Sequence, residues 1–533
     1  MRRIGKLCAL ALLILAACQS QTPARGPEVL RMSIARDPVS LDPTQIHQPS
    51  AELGLIRNLY DGLYKFDNNL NEVPDLARGM PKVSPDQKTW TFSLNPKARF
   101  GNGDPVTAAD VIYSWNRDAE QHSADALVFA PVVGYDAIQS GQSTVLSGLS
   151  APDQSTVVAK LSKPAGYWLV ELGLWSAYVL DQSVLRDFGE QDWWMNPQHL
   201  NASATGPFQL TGRVPSHSLD FKPTPSWWGG GTGTLAGVHV EVVVDASDAL
   251  TRYEHNDLDV IGYSPNDDRS TDVPVDALRR YAADHALAPQ VKSRPWLAMR
   301  WLRFNTINGP LAGSAAQPAR KALSQAIDRK ALASAACDGG ITCFPASGGM
   351  FLPGLHGYLG DNRDPNARFD PAAASAALRS WDPDGTKLRA VHLVAPTFVE
   401  SQAKELARQW KANLGLVIPV EIVSSTPTPR PAMFLGGFVV DFDSPFNWYD
   451  DTFVNSPAYS NATFDSLVSS ANGKLPPQAL PEYLQAEQML ESDVAVSALV
   501  YRAEVFLVKP RVVGVGGNAL YENYWQAISI KSQ

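Results

Sequence analysis

TWTFSLNPKARFGNGDPVTAADVIYSWNR, residues Thr89 to Arg117, contains three structural instructions in a row. Trp90, Phe92 and Leu94 alternate with Thr89, Thr91 and Ser93, the period of a strand with one buried face. Gly101-Asn102-Gly103-Asp104-Pro105 gathers residues that tolerate positive φ or fix φ, so the chain turns there. Thr107 and Asp110 stand at capping-box spacing ahead of Val111, Ile112 and Trp115, which predicts a helix. Strand, turn and capped helix together point to an α/β chain and, by themselves, to no function.

A chain of 533 residues exceeds the ~250–300 at which one core stops growing, so more than one lobe is expected. Its formal net charge of −9 argues against a nucleic-acid partner and against a basic membrane-binding patch. Met1 to Ala17 has a basic start and an apolar run too short to span a bilayer, which reads as a secretory signal. Without Arg2, Arg3 and Lys6 the balance becomes 42 cationic against 54 acidic side chains, or −12. Leu15-Ala16-Ala17-Cys18 resembles a lipobox, in which Cys18 is lipidated and becomes the first mature residue; the competing reading is an ordinary signal that happens to carry a cysteine. Residues 18–28 are then a tether. Cys337 and Cys343 remain as the one pair in the folded body, expected to form a disulfide in an oxidising compartment. Two thiols without a nearby His or further Cys make a poor zinc site, so neither metal nor cofactor is expected.

The wording of the opening stretch is more specific than its pattern. Pro74-Asp75-Leu76-Ala77, Trp90 to Leu94, Arg99-Phe100, Gly103 to Val111 and Tyr113-Ser114 resemble the signature of the family 5 extracellular solute-binding proteins, with Asn102 where that family usually has Asp. Further resemblances are Leu41-Asp42-Pro43, Leu59 to Tyr64, Ala204-Thr205-Gly206-Pro207-Phe208, Arg303-Phe304-Asn305-Thr306, Ala326 to Arg329 and Phe506 to Pro510. The last of these resembles the oligopeptide-binding members in particular. The resemblance implies an α/β fold of the periplasmic binding protein-like kind (class II, cluster C): a two-lobe clamshell with an inserted third, smaller domain. It places lobe I at 29–64 and 205–290, the inserted domain at 65–204, lobe II at 291–500, and a return to lobe I at 501–533. It also implies an exported, monomeric receptor at the cell envelope that delivers peptides to the permease of an ABC importer.

Within that frame, strands are expected at Val29 to Arg36, Phe208 to Thr211, Ser218 to Lys222, Val238 to Val244, Leu388 to Val394, Val417 to Val423 and Phe434 to Val440. Ser155 to Leu161 reads as an edge-like strand. Helices are expected at Gly54 to Tyr64, from Pro318 to Asp328-Arg329, and at Val399 to Leu414. Gly229 to Gly233 is read as a turn, because a phosphate loop needs a Lys and a strand-to-helix context.

A peptide's ammonium needs a buried carboxylate, because an unpaired charge in a closed cleft costs several kcal/mol. The resemblance assigns that role to Asp441, the Asp of Phe438-Val439-Val440-Asp441-Phe442, and makes Phe438 a wall of the first side-chain pocket. It points the loop carrying His47, Gln48 and Pro49 at the ligand and adds Asn305 and Tyr501 as ligand-contacting positions. The residues alone allow another reading, with Asp441 capping a strand end in solvent beside Asp443. No metalloprotease, nucleophile-elbow, Walker or Cys–His motif occurs, so no catalytic residue is expected. A non-peptide solute, or a secreted glycosidase built on scattered carboxylates, remains the alternative.

Overall fold

The computed structural model describes residues 28–46, 52–121, 125–262, 271–425, 430–450, 452–454, 456–520 and 524–531. The opening stretch folds as it reads. Thr89–Ser93 is a strand with Trp90 and Phe92 buried, and Ala108–Glu120 is a helix closed at its start by the Thr107–Asp110 capping box. Trp90, Phe92, Trp115 and Trp168 pack with ring centroids 5.4–6.3 Å apart, which fastens the helix to its sheet. That four-stranded sheet, ordered Lys82–Val83, Thr89–Ser93, Thr156–Lys160, Leu149–Asp153, is separate from the main one.

Among the described residues the main sheet has eleven strands and runs through both lobes. On the lobe I side Val29–Ile34 pairs in parallel with Gly237–Val242 and with Val260–Ile261, and Ser218–Pro223 and Phe208–Val214 follow antiparallel. Two long antiparallel strands cross to lobe II: an outgoing strand, Val291–Phe304, and a return strand, Val496–Val508. Val508 and Leu507 pair with Val260 and Ile261 of lobe I, while Val496 pairs with Arg303 deep in lobe II. Every residue of the return strand is buried. Two paired crossings of this kind give a clamshell its hinge. In lobe II the outgoing strand pairs with Met433–Val439, then come Leu393–Pro396 and Val420–Val423, over a core of Leu323, Leu406 and Trp410 from the helices Gln317–Gln325 and Glu400–Leu414, with Ile327 just beyond the first helix.

The structure differs from the sequence reading at several elements. The helix expected at Gly54 to Tyr64 stops after Leu53–Ile56, and Tyr64 begins a strand. The carbonyls of Asn58, Leu59 and Asp61 instead accept from Phe208, Gly206 and Val179, so they are unavailable to a continuing helix. The strand read as edge-like is interior, because Leu149–Asp153 covers it. Asp328 does not end its helix; its carboxylate caps the next one, Arg329–Ala336, accepting from the N–H groups of Lys330 and Ala331. The strand expected from Leu388 starts at Leu393, since Asp382 draws the N–H groups of Lys387 and Leu388 into a tight turn.

Candidate functional site: the cleft between the lobes

Where the lobes meet, a cavity of about 430 Å3 is walled by residues 271–275 of lobe I, by Arg300, Phe398 and Gln402 of lobe II, and by Arg502 of the return strand. Arg300, Val500 and Arg502 share one face of the crossing strands. Both arginines are 7% exposed, with guanidiniums over aromatic faces: Arg300 lies 4.9 Å from the centre of Phe398, and Arg502 lies 3.9 Å from that of Trp296. The Cys337–Cys343 disulfide forms, with Cα atoms 5.6 Å apart, and lines this cavity. It ties down the turn in which Asp338 accepts from the Thr342 hydroxyl at 3.0 Å.

Beside the cavity runs Met433–Val439. One edge of this strand pairs with the outgoing strand along its whole length, from Ala298–Val439 to Phe304–Met433. The other edge meets Leu393–Pro396 only at Met433 and Phe434. From Leu435 onward that edge has no strand partner among the described residues, which leaves a row of main-chain groups open to an added strand.

The open edge leads to Asp441. Its N–H donates to Asn447 Oδ1 at 2.8 Å, and Asn447 Nδ2 donates to Asp441 Oδ2 at 3.1 Å, so the half-buried carboxylate is held in a fixed direction. Two residues on, buried Asp443 accepts from the His356 main-chain N–H at 3.1 and 3.2 Å and contacts its ring Nδ1. That hydrogen bond raises the His356 pKa, while burial raises that of Asp443 and pushes Glu72, opposite them, up to about 7.

Phe438 is half-buried and stacks on Trp301, with centroids 6.0 Å apart. With Asn305 it lines a second cavity, of about 220 Å3. The Asn305 amide is already engaged, donating to the Arg430 carbonyl at 3.0 Å and accepting from the N–H groups of Ile307 and Asn308. Tyr501 lines neither cavity: it is fully buried, and its hydroxyl donates to the Gly349 carbonyl at 2.8 Å and accepts from the Gly348 N–H at 3.2 Å. His47, Gln48, Pro49 and Cys18 lie outside the described residues. Sequence reasoning missed Arg300, Arg303, Arg430, Arg502 and Asn447. For three of them a signal existed: a cation inside an otherwise apolar strand, as in Trp296 to Phe304 or Val496 to Val508, is rare without a task. Among the described residues no helix is long and apolar enough to cross a membrane, and no cluster of three or more metal-ligating side chains occurs.

The sequence pattern of the bacterial extracellular solute-binding proteins, family 5 (middle part), matches residues 71–463. The chain belongs to this family. The periplasmic oligopeptide-binding protein OppA of Escherichia coli K12 is 24% identical over 510 residues, covering 91% of this chain and 89% of OppA. The periplasmic murein peptide-binding protein MppA of the same organism is 26% identical over 521 residues, covering 92% and 90%. Solved family structures share the fold. The unliganded open form of MppA overlaps with a TM-score of 0.81 at 23% identity, covering 95% of this chain and 98% of MppA. Haemophilus influenzae OppA in complex with the peptide RPPGFSPFR overlaps with a TM-score of 0.66 at 21% identity, covering 95% and 100%. A family 5 clamshell thus frames both the cleft and the open edge.

Proposed function

We propose that this protein is the capture component of an ABC importer and that it takes short peptides into the inter-lobe cleft. The observation that carries this reading is the edge of Met433–Val439 that from Leu435 onward has no strand partner among the described residues and leads to Asp441. A peptide laid along that edge gains main-chain hydrogen bonds that do not depend on its side chains. Its ammonium then reaches the carboxylate that Asn447 orients, and Phe438 walls the first side chain. His47, Gln48 and Pro49 are the further ligand contacts of this reading. Tyr501 braces Gly348 and Gly349 behind the cleft, and Asn305 shapes the second cavity. The names of the relatives, oligopeptide-binding and murein peptide-binding, support the ligand class.

The protein binds without turnover. It is exported, acts as a monomer with the permease, and is held at the membrane by acyl chains on Cys18, each buried methylene contributing ~0.8 kcal/mol. The test is titration of tryptophan fluorescence with a mixed peptide pool and with oligosaccharides. A saturable response to peptides, recovered intact by mass spectrometry, supports the reading. Peptide hydrolysis, or a response to oligosaccharides alone, overturns it. Cys18→Ser should shift the protein to the soluble envelope fraction or leave it as precursor; unchanged fractionation removes the anchor.

A further inference from the structure

The helix that carries Asn447 answers to two bodies. It is a single turn, Phe446–Tyr449, far shorter than the ~12–15 residues at which an isolated helix begins to hold itself, so its direction comes from what packs against it. On one side Trp448 and Tyr449 are buried in lobe II, both edge-to-face with Phe351. On the other, Phe446 meets the inserted domain. The Tyr167 and Phe446 rings lie 8° from parallel with centroids 3.6 Å apart, closer than the roughly 4.5–7 Å that aromatic pairs ordinarily take, so the packing on both sides holds them face to face. Tyr167 is itself buried and rooted. Trp168, the next residue, packs on Trp90, Phe92 and Trp115 in the core of the inserted domain, and the Gly166 N–H donates to the Asn472 carbonyl of lobe II at 2.8 Å. Phe446 stacks in turn over Phe442, 6.4 Å away and 25° from parallel. The three rings thus bracket the turn between the anchor and its orienting amide, from the residue after Asp441 to the residue before Asn447.

We propose, resting on the peptide reading of the cleft, that Tyr167 is a positioning residue for the ammonium site: through Phe446 it fixes the turn that carries Asn447, and through Asn447 the direction of the Asp441 carboxylate. The Asn447 amide accepts from the Asp441 N–H at 2.8 Å and donates to Oδ2 at 3.1 Å, so a tilt of the helix disturbs both contacts at once. Hydrogen bonds weaken steeply when their angle is lost, and a carboxylate released from its direction gives up part of its grip on the ammonium. The inserted domain therefore contributes to affinity by acting on lobe II, and a shift between the two bodies is read out as a change in ammonium recognition. Tyr167 needs only its flat ring for this.

The experiment is calorimetry with trialanine and N-acetyltrialanine. It is run on the native protein, on Tyr167→Leu, which keeps apolar bulk but loses the flat ring, and on Tyr167→Phe, which keeps the ring. Tyr167→Leu should reduce the preference for the free amine over the acetylated form by about 3- to 10-fold, the worth of an aromatic pair beyond its buried area, and Tyr167→Phe should retain it. A merely structural Tyr167 would weaken both peptides alike and leave the ratio intact. That result overturns the proposal, as does a Tyr167→Phe variant that loses as much preference as Tyr167→Leu. If trialanine does not bind the native protein, or binds no better than its acetylated form, the peptide reading fails by itself, and hydrogen–deuterium exchange decides the coupling without a ligand. The coupling stands if residues 438–450 exchange faster in Tyr167→Leu than in the native protein and Tyr167→Phe while Val496–Val508 is unchanged. It falls if the three proteins exchange alike or if both segments change together.

Discussion

Replacing Arg117 with Met tests what joins the inserted domain to lobe I. Arg117 lies on the helix that follows the signature turn. Its guanidinium grips Asp42 of the first lobe through two hydrogen bonds, 2.9 and 2.7 Å long, with a third to the Thr44 hydroxyl at 2.6 Å. The two side chains are 3% and 0% exposed, so water does not replace a lost partner. Breaking a buried pair from one side typically costs ~3–5 kcal/mol. Here Asp42 keeps the Thr44 N–H at 3.1 Å and the Trp193 indole N–H at 3.0 Å, which places the expected loss near the lower end, about 3 kcal/mol. Urea unfolding followed by tryptophan fluorescence measures it. Adding Asp42→Asn to Arg117→Met should recover part of the loss, because the stranded charge is gone. A loss below about 1 kcal/mol, or a double variant no better than the single, refutes the buried-pair reasoning.

Three further outcomes are expected. Opening the short Cys337–Cys343 loop with Cys337→Ser should lower stability by ~2–3 kcal/mol, and unreduced, denatured native protein should show neither thiol to a labelling reagent; two reactive thiols would contradict the bond. Stability should fall between pH 5 and 8. Burial pushes Glu72 and Glu487 up to about 7 and Glu491 up to about 8, so the folded state holds protons that the unfolded chain, near 4.5, has released. His356, raised by Asp443, acts in the same sense: its contribution is complete below its unfolded value of 6.5 and is lost as pH passes its folded one. An equal or higher melting temperature at pH 8 contradicts this. Gly166→Ala should separate the inserted domain from lobe II, because its Cβ would fall 1.7 Å from the Lys474 carbonyl oxygen where the Gly166 N–H now donates to Asn472; unchanged melting and proteolysis would refute it.

The fold was legible in the sequence wherever local chemistry and tertiary packing agree. Trp90, Phe92 and Trp115 have the right periods and form the core the periods imply. The reading failed where long-range partners take over local groups, as when Phe208 and Gly206 claim the carbonyls that a helix after Ile56 would need. It failed again where a polar strand, Leu149–Asp153, gives no apolar alternation yet covers a neighbour. In the site, a local motif pointed to Asp441 and Phe438. Asn447 comes to aim the carboxylate only once the lobe is folded.

Asp441 is therefore the residue on which the account is tested most directly. Binding of a free and an N-acetylated peptide to the native protein and to Asp441→Asn, by calorimetry, isolates the contact between its carboxylate and the ammonium. For the free peptide the substitution should cost ~2–5 kcal/mol, roughly a 30-fold to several-thousand-fold loss of affinity. The acetylated peptide should bind the native protein poorly and respond little to the substitution, since the charge it lacks is the one Asp441 serves. Equal affinity of the native protein for the two peptides would contradict the account.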